Sequence, residues 1–186
     1  MRADLTAAMN FFSRACSYVE QAGLSGEVVW QRDADFTEFT ESELLREHAW
    51  VALCSGFRES AVRRVFNHVS LCFCDWESAD AIVSVGEICC TTAALTFANR
   101  LKLRAILSTA RYINNIGFEE FKRSVLADPI NRLQVLPFIG PVTSRHLAKN
   151  LGLDIAKPDR HLVRVSERLG FRSADDLCRE LAATTG

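Results

Sequence analysis

Two short stretches of this 186-residue chain hold residues whose types and spacing can do chemistry. The first is Leu136 to Ser144, LPFIGPVTS. Pro137, Gly140 and Pro141 crowd one turn, and such punctuation breaks a helix. A tight turn with glycine lets backbone amides approach a phosphate, and the positive end of the helix that follows adds to the attraction. The second is Pro158 to Arg164, PDRHLVR. Pro158 forces an extended approach and Asp159 sits where an N-cap belongs, ahead of Leu162, Val165 and Leu169 at helical spacing. A carboxylate fixed there can stabilise a developing positive charge and position or activate water. Aspartate is equally a favoured N-cap with no chemistry at all. The seven cysteines, at 16, 54, 72, 74, 89, 90 and 178, are odd in number. Cys72-x-Cys74 and Cys89-Cys90 lack the spacing of a zinc site. The cysteines read as reduced, mostly buried thiols of a cytosolic protein, with a metal site from 72, 74, 89 and 90 as the lesser reading.

Taken together and in order, these stretches resemble the helix-hairpin-helix DNA glycosylases, the superfamily that includes endonuclease III-like and alkylpurine enzymes. Leu136, Pro137, Ile139, Gly140, Thr143 and Ser144 match the hairpin, and Asp159, His161, Leu162 and Arg164 match the half that follows it. Either half alone is weak, because such hairpins occur in many DNA-binding proteins that do no chemistry. Both at the right spacing are fairly specific, and they cover about a fifth of the chain. Two positions depart from the family. Its first hairpin glycine is Phe138 here, which makes the turn tighter to one side or presents an aromatic to DNA. The position of the Schiff-base lysine of bifunctional members is Val142, which has no amine to attack a sugar. Lys149 lies two turns on, roughly 10 Å away at the rise of a helix, too far to substitute.

The resemblance implies a monofunctional DNA glycosylase that flips out a damaged or modified base and hydrolyses its N-glycosidic bond. Asp159 is then the catalytic residue, with no metal or organic cofactor. The amides from Phe138 through Ile139 and Gly140 to Val142 grip a phosphate, which positions the strand without reading sequence. Arg145 and Lys149 either extend that contact or are ordinary surface charge. Arg160 and Arg164 lie near the proposed cleft, with a structural ion pair the favoured reading for Arg164 and a structural role for His161. A base inside a duplex must be rotated out, and relatives fill the gap from the loop between the first two helices of the central lobe. Here that loop is Ser55-Gly56-Phe57-Arg58. Phe57 either stacks into the gap or packs between the helices, and Arg58 faces the opposite base. Trp30, Trp50, Tyr112 and Phe11 are candidate walls of a base pocket, with core packing the favoured reading for each. Alkylated purines fit such an enzyme, while oxidised purines, mismatched bases and hypermodified phage cytosines stay open, the last implying defence rather than repair. The partner is double-stranded DNA, met by a monomer. The alternative is a non-catalytic helix-hairpin-helix DNA-binding module. An endonuclease or lyase is a weaker third reading, against which Val142 stands.

The totals allow one domain or two small lobes. Net charge is -1, yet Arg132 to Arg172 holds eight Lys or Arg against three acids, so this segment carries +5 and the remainder -6. A basic segment suits local contact with a nucleic-acid backbone; a solvated helical face is the plainer account. No signal peptide opens the chain and no run reaches membrane-spanning length, so the expected location is cytoplasmic, or nucleoid-associated in a bacterium. With Cys178 alone near the C-terminus, no iron–sulfur cluster is expected.

The elements that must position these residues are helices. Residues 3–21 carry a stripe of Leu5, Met9, Phe12, Cys16 and Val19, ended by Gly23 and Gly26. Val28, Val29 and Trp30 read as a short strand or a packed loop. Thr40 to Glu43 is a capping box that opens a helix through Leu44, His48 and Ala52. Glu59 to about Leu71 follows. Asp75 is expected to cap a helix from Trp76 to Val85, and Glu87 to Ala98 makes the next. Arg100 to Ile116 is the clearest, with Leu103, Ile106, Leu107, Ala110 and Ile113 on one side. Phe118 to Leu126, the hairpin, the Asp159 helix and a last helix with Leu177 and Leu181 complete about ten. The fold class is all-α. The resemblance implies two helical lobes, 40–153 and 1–39 with 154–186, and a DNA cleft between them. The second lobe looks short at its C-terminal end.

Overall fold

Helix follows helix from Leu5 to Thr185 in the computed structural model of the chain, which describes residues 3–185. The elements are α1 (Leu5–Gln21), α2 (Ser25–Asp33), α3 (Glu41–Cys54), α4 (Glu59–Cys72), α5 (Ala79–Val85), α6 (Glu87–Ala93), α7 (Arg100–Ile116), α8 (Phe118–Ala127), α9 (Pro129–Leu133), α10 (Pro141–Asn150), α11 (Arg160–Arg168) and α12 (Ala174–Thr185). Among the described residues one 3-10 turn, Cys74–Trp76, accompanies them, and no strand occurs. The fold is therefore all-α. The chain divides into two compact units. One is Asp35–Leu153; the other comprises the described parts of Met1–Ala34 and Asp154–Gly186.

In the larger unit α7 is the central helix, packed on α3, α5, α6 and α8. Leu103, Ile106, Leu107, Ala110 and Ile113 share one face of the helix, and each is at most 1% exposed. Burying each Leu or Ile contributes about 1.5–3 kcal/mol. The start of α3 is fixed by its capping box: the Thr40 amide donates to Glu43 Oε2 at 2.7 Å and the Glu43 amide to Thr40 Oγ1 at 3.2 Å. Glu41 extends the same end outward, its Oε1 accepting from the Ala79 amide at 2.8 Å and so tying α3 to the first turn of α5.

Two boundaries in this unit differ from expectation. Asp75 does not cap a helix from Trp76. It lies in a left-handed turn, with φ of 55°, 48° and 64° at Cys74, Asp75 and Trp76, and Ser78 caps α5 by accepting from the Ala81 amide at 3.1 Å. Left-handed backbone costs about 1–2 kcal/mol per residue with a side chain. Trp76 offsets it by stacking on Phe73 at 5.6 Å and donating from Nε1 to Ser70 Oγ at 2.9 Å. The helix from Glu87 ends at Ala93 rather than Ala98, and Thr96 and Phe97 turn back to donate to the Ala93 carbonyl at 3.1 and 3.0 Å.

The smaller unit has a thin core of Ala8, Phe171 and Leu177, flanked by Leu162, Val165, Leu169 and Leu181. α12 packs on α1 and α11, and the Asp4 amide donates to the Leu169 carbonyl at 2.9 Å. Here the sequence expectation fails twice. The buried residue of α1 is Ala8, while Leu5, Phe12 and Cys16 are exposed. Small alanine lets the partner helices approach, which a stripe of large residues does not. Val28, Val29 and Trp30 form neither strand nor packed loop but the exposed side of α2, and Gly26 lies inside that helix.

Candidate functional site

The short α9 turns into α10 through Gln134 to Gly140. Phe138 sits at the sharpest point, with φ of 63°, a conformation glycine adopts freely and other residues do not. Thr143 braces the turn from within. Its Oγ1 accepts from the Gly140 amide at 2.6 Å and lies 3.3 Å from both the Phe138 and Gly140 carbonyls. Gly140 has no side chain to return the cap, and Pro141, first in α10, has no N–H. The amides of Val142 and Thr143 are left without intrahelical acceptors, as the first turn of any helix requires. They form the positive, hydrogen-bond-donating end of α10.

Two buried side chains of α3 hold this segment in place, and neither was singled out from the sequence. His48 is wholly buried, and its Nε2 lies 3.0 Å from the Pro137 carbonyl and 3.1 Å from Thr109 Oγ1. A carbonyl only accepts, so Nε2 carries the hydrogen. Nδ1 is then the bare, unpartnered nitrogen. Burial drives the imidazole pKa down to about 4, against the opposing pull of the Pro137 bond. Glu47, also buried, accepts from Asn150 Nδ2 at 2.8 Å and pairs with Arg46, which ties α3 to the end of α10. Burial raises its carboxyl pKa, while the Arg46 charge and the Asn150 bond pull the other way.

Lys102, on α7, is a third residue missed. Only 3% of it is exposed, although it sits on a helix whose neighbours are aliphatic. Its Nζ donates to the carbonyls of Ala52, Leu53 and Ser55, closing the C-terminal end of α3 where the carbonyls lack helical partners. The same nitrogen lies 5.3 Å from the centre of the Phe57 ring and 5.1 Å from that of Phe138. One cation thus stands beside two aromatic rings from two different loops, at cation–π distance from both. Phe57 leans on buried Phe97 at 5.3 Å. Even so, Phe57 and Phe138 are each 44% exposed.

Asp159 caps α11. Its Oδ1 accepts from the amides of His161 and Leu162 at 2.9 and 3.0 Å, and Oδ2 takes no part in the cap. Partial burial pushes the carboxyl upward, but the Leu162 and His161 amides, with Lys157 and His161, outweigh it and hold the group below the usual carboxylate range. It is an ionised, half-buried and fixed carboxylate. Beside it, exposed Arg160 contacts His161 Nε2 through Nε at 3.3 Å. Arg164 is exposed, and the ion pair expected for it is absent among the described residues.

The remaining candidates are dispersed. Arg145 and Lys149 are half-buried on α10, Val142 is exposed, and Arg58 is exposed at the start of α4. Within the larger unit, Trp50 meets Phe66 edge-on at 5.0 Å and Tyr112 meets Phe121 at 5.9 Å, so each has its own aromatic neighbour. Trp30, Phe11 and Tyr112 are exposed rather than packed in a core. A groove of about 450 Å³, lined by Arg46, Phe66, Asn67 and Trp76 among others, includes none of these candidates. Among the described residues no three His, Cys, Asp or Glu side chains gather as a metal-ligand set. Cys72 contacts His68 at 3.5 Å, whereas Cys74 and Cys89 point at separate carbonyls of α5. No helix among the described residues is long and apolar enough to cross a membrane. No protein-family model matches the chain, and neither a curated protein nor a solved structure does.

Proposed function

We propose that the protein is a monofunctional DNA glycosylase built on a helix-hairpin-helix, in which α9 and α10 are the hairpin and Asp159 the catalytic residue. The observation that carries this reading is the turn before α10. It is braced by Thr143 and by His48, and its outward amides have no side-chain cap. A phosphate of the strand that bears the target base fits those donors. Arg145 and Lys149 follow on the same helix.

The chemistry assigned to Asp159 is modest and follows from its state. As the glycosidic bond lengthens, its electron pair leaves with the base and positive charge grows on the sugar. An ionised carboxylate stabilises that charge. Water then adds its oxygen to the anomeric carbon, and its proton passes to Oδ2, the oxygen the cap does not use. Val142 in the lysine position leaves no amine for a lyase step, so the abasic product stays unbroken until alkali is added.

One observation favours the second reading, a DNA-binding module without chemistry: the two amide bonds alone account for an aspartate at this position. Asp159→Asn separates the two. Asparagine caps a helix as well as aspartate, so the fold is kept while the charge is lost. Under the proposal the variant binds DNA and releases no base. If wild type and variant release the same amount, Asp159 is a cap and nothing more.

A further inference from the structure

A short helix that buries nothing has little to hold it. Isolated helices of fewer than about 12–15 residues are marginal in water, yet α2 is nine residues long and none of them is buried. The second half of α1 is in the same state. From residue 10 to residue 30 only Val19 is half-buried, and every other residue is exposed. The core of the smaller unit meets α1 at Ala8, near its start. The turn between the two helices is nonetheless well formed. The amides of Gly23 and Leu24 donate to the Glu20 and Val19 carbonyls at 3.1 and 2.9 Å, and Gly23 takes a φ of 69°. That closing pattern fixes the exit of α1.

The open surface of this segment is apolar. Phe11, Phe12, Tyr18 and Trp30 are 49, 36, 68 and 42% exposed. At about 200 Å² for a whole aromatic side chain, their open parts amount to about 400 Å². Leu24, Val28 and Val29, each about half exposed, raise the total to about 500 Å². A standard interface covers about 800 Å² of each partner, and in homodimers about 65% of it is apolar. The apolar share of one such face is therefore about 500 Å², which is what this segment offers.

Charge selects the occupant. Residues 10–33 hold Arg14 and Arg32 against Glu20, Glu27 and Asp33, a net charge of -1 with no lysine. A lipid surface or a nucleic acid calls for an excess of Lys and Arg. A near-neutral face with both signs meets its own copy without repulsion. A two-fold axis sets the same patch on both sides, so one area serves both partners.

We propose that residues 10–33, the second half of α1 with α2, are a self-association surface that pairs with the same segment of a second copy. The protein is then a dimer, in place of the monomer expected from the sequence. The proposal does not rest on the glycosylase reading, and base release by a monomer or by a dimer leaves that reading intact.

The test is sedimentation velocity of the full-length protein across a dilution series, beside alkylation of Cys16. Cys16 is exposed, whereas the other six cysteines are buried or half-buried, and it lies one turn on from Phe12. Interfaces of this size dissociate in the micromolar range or below, so wild type is expected as a dimer of 20.8 kDa chains at about 10 µM. Alkylation of Cys16 should slow as concentration rises. Phe12→Glu and Trp30→Glu put a charge into the apolar contact. Each should raise the dissociation constant by about thirtyfold or more, the effect of losing an anchor residue, and restore fast alkylation. Leu95→Glu, at an exposed leucine of the larger unit, should leave both readouts unchanged. A monomer at every concentration overturns the proposal, and so does a dimer that both charged variants leave intact. A monomer that binds vesicles of anionic lipid through these residues overturns it as well and assigns the segment to a lipid surface. If either variant fails to fold, the concentration dependence of Cys16 alkylation in wild type decides the matter.

Discussion

At the scale of single residues the account rests on Asp159, Phe138 and the buried polar groups behind them. Asp159→Ala removes a cap and a charge, so it should lose about 1 kcal/mol of stability as well as base release. Asp159→Asn should melt within a degree or two of wild type and still release no base; thermal denaturation beside the assay checks both. Phe138→Gly relieves left-handed strain of about 1–2 kcal/mol and returns part of it as chain entropy. We expect stability equal to or slightly above wild type. A clear loss of stability in denaturant would show that the ring, rather than the backbone, holds the turn. The cap at Asp159 was legible because its partners lie two and three residues away. His48, Glu47 and Lys102 were not, since their partners lie 89, 103 and about 50 residues off in the chain. Local spacing carries no signal for a bond of that span.

At the scale of elements the α9–turn–α10 segment is the part proposed to meet DNA, and Thr143 is its internal brace. Thr143→Val keeps the shape and removes Oγ1, leaving the half-buried Gly140 amide without an acceptor. The expected loss is about 1 kcal/mol of stability, with weaker binding to duplex DNA, because the amides proposed to meet phosphate lose their alignment. Lost stability with unchanged DNA binding would make Thr143 a structural brace alone. Long helices with a clear stripe were legible from sequence, as α7 shows. Short ones were not. α2 is nine residues long, includes Gly26 and buries none of its residues, so no periodic face marks it. The left-handed turn at Cys74–Trp76 is held by the Trp76 hydrogen bond to Ser70 and its stacking on Phe73, and gives no compositional sign of itself.

At the scale of the whole molecule two bulk properties follow. The first is acid sensitivity. His48 has a folded pKa of about 4 against 6.5 for the free side chain, so the unfolded chain takes up its proton first as pH falls. Stability from this group is complete above pH 6.5, falls as pH drops through 6.5, and stops falling below about 4; the full loss is roughly 3 kcal/mol. Glu47, with its raised pKa, works in the opposite direction near the acid end. Urea denaturation at pH 7 and pH 5 should therefore differ by about 2 kcal/mol. His48→Gln should be less stable at pH 7 and much less pH-dependent; an unchanged slope would mean that other groups set it. The second property is salt dependence. Binding through amides and a local basic segment should weaken linearly in log affinity against log salt, and Arg145→Ala should reduce the slope by about one if that side chain meets a phosphate. The central claim is base release by Asp159, and the most direct measurement is a glycosylase assay of wild type and Asp159→Asn. The substrates are lesion-bearing duplexes, alkylated genomic DNA and modified phage DNA, each read with and without alkali. The account predicts strand breaks that need alkali in wild type and none in the variant. Binding to DNA with no base release from any substrate would contradict it, and so would release that survives in Asp159→Asn.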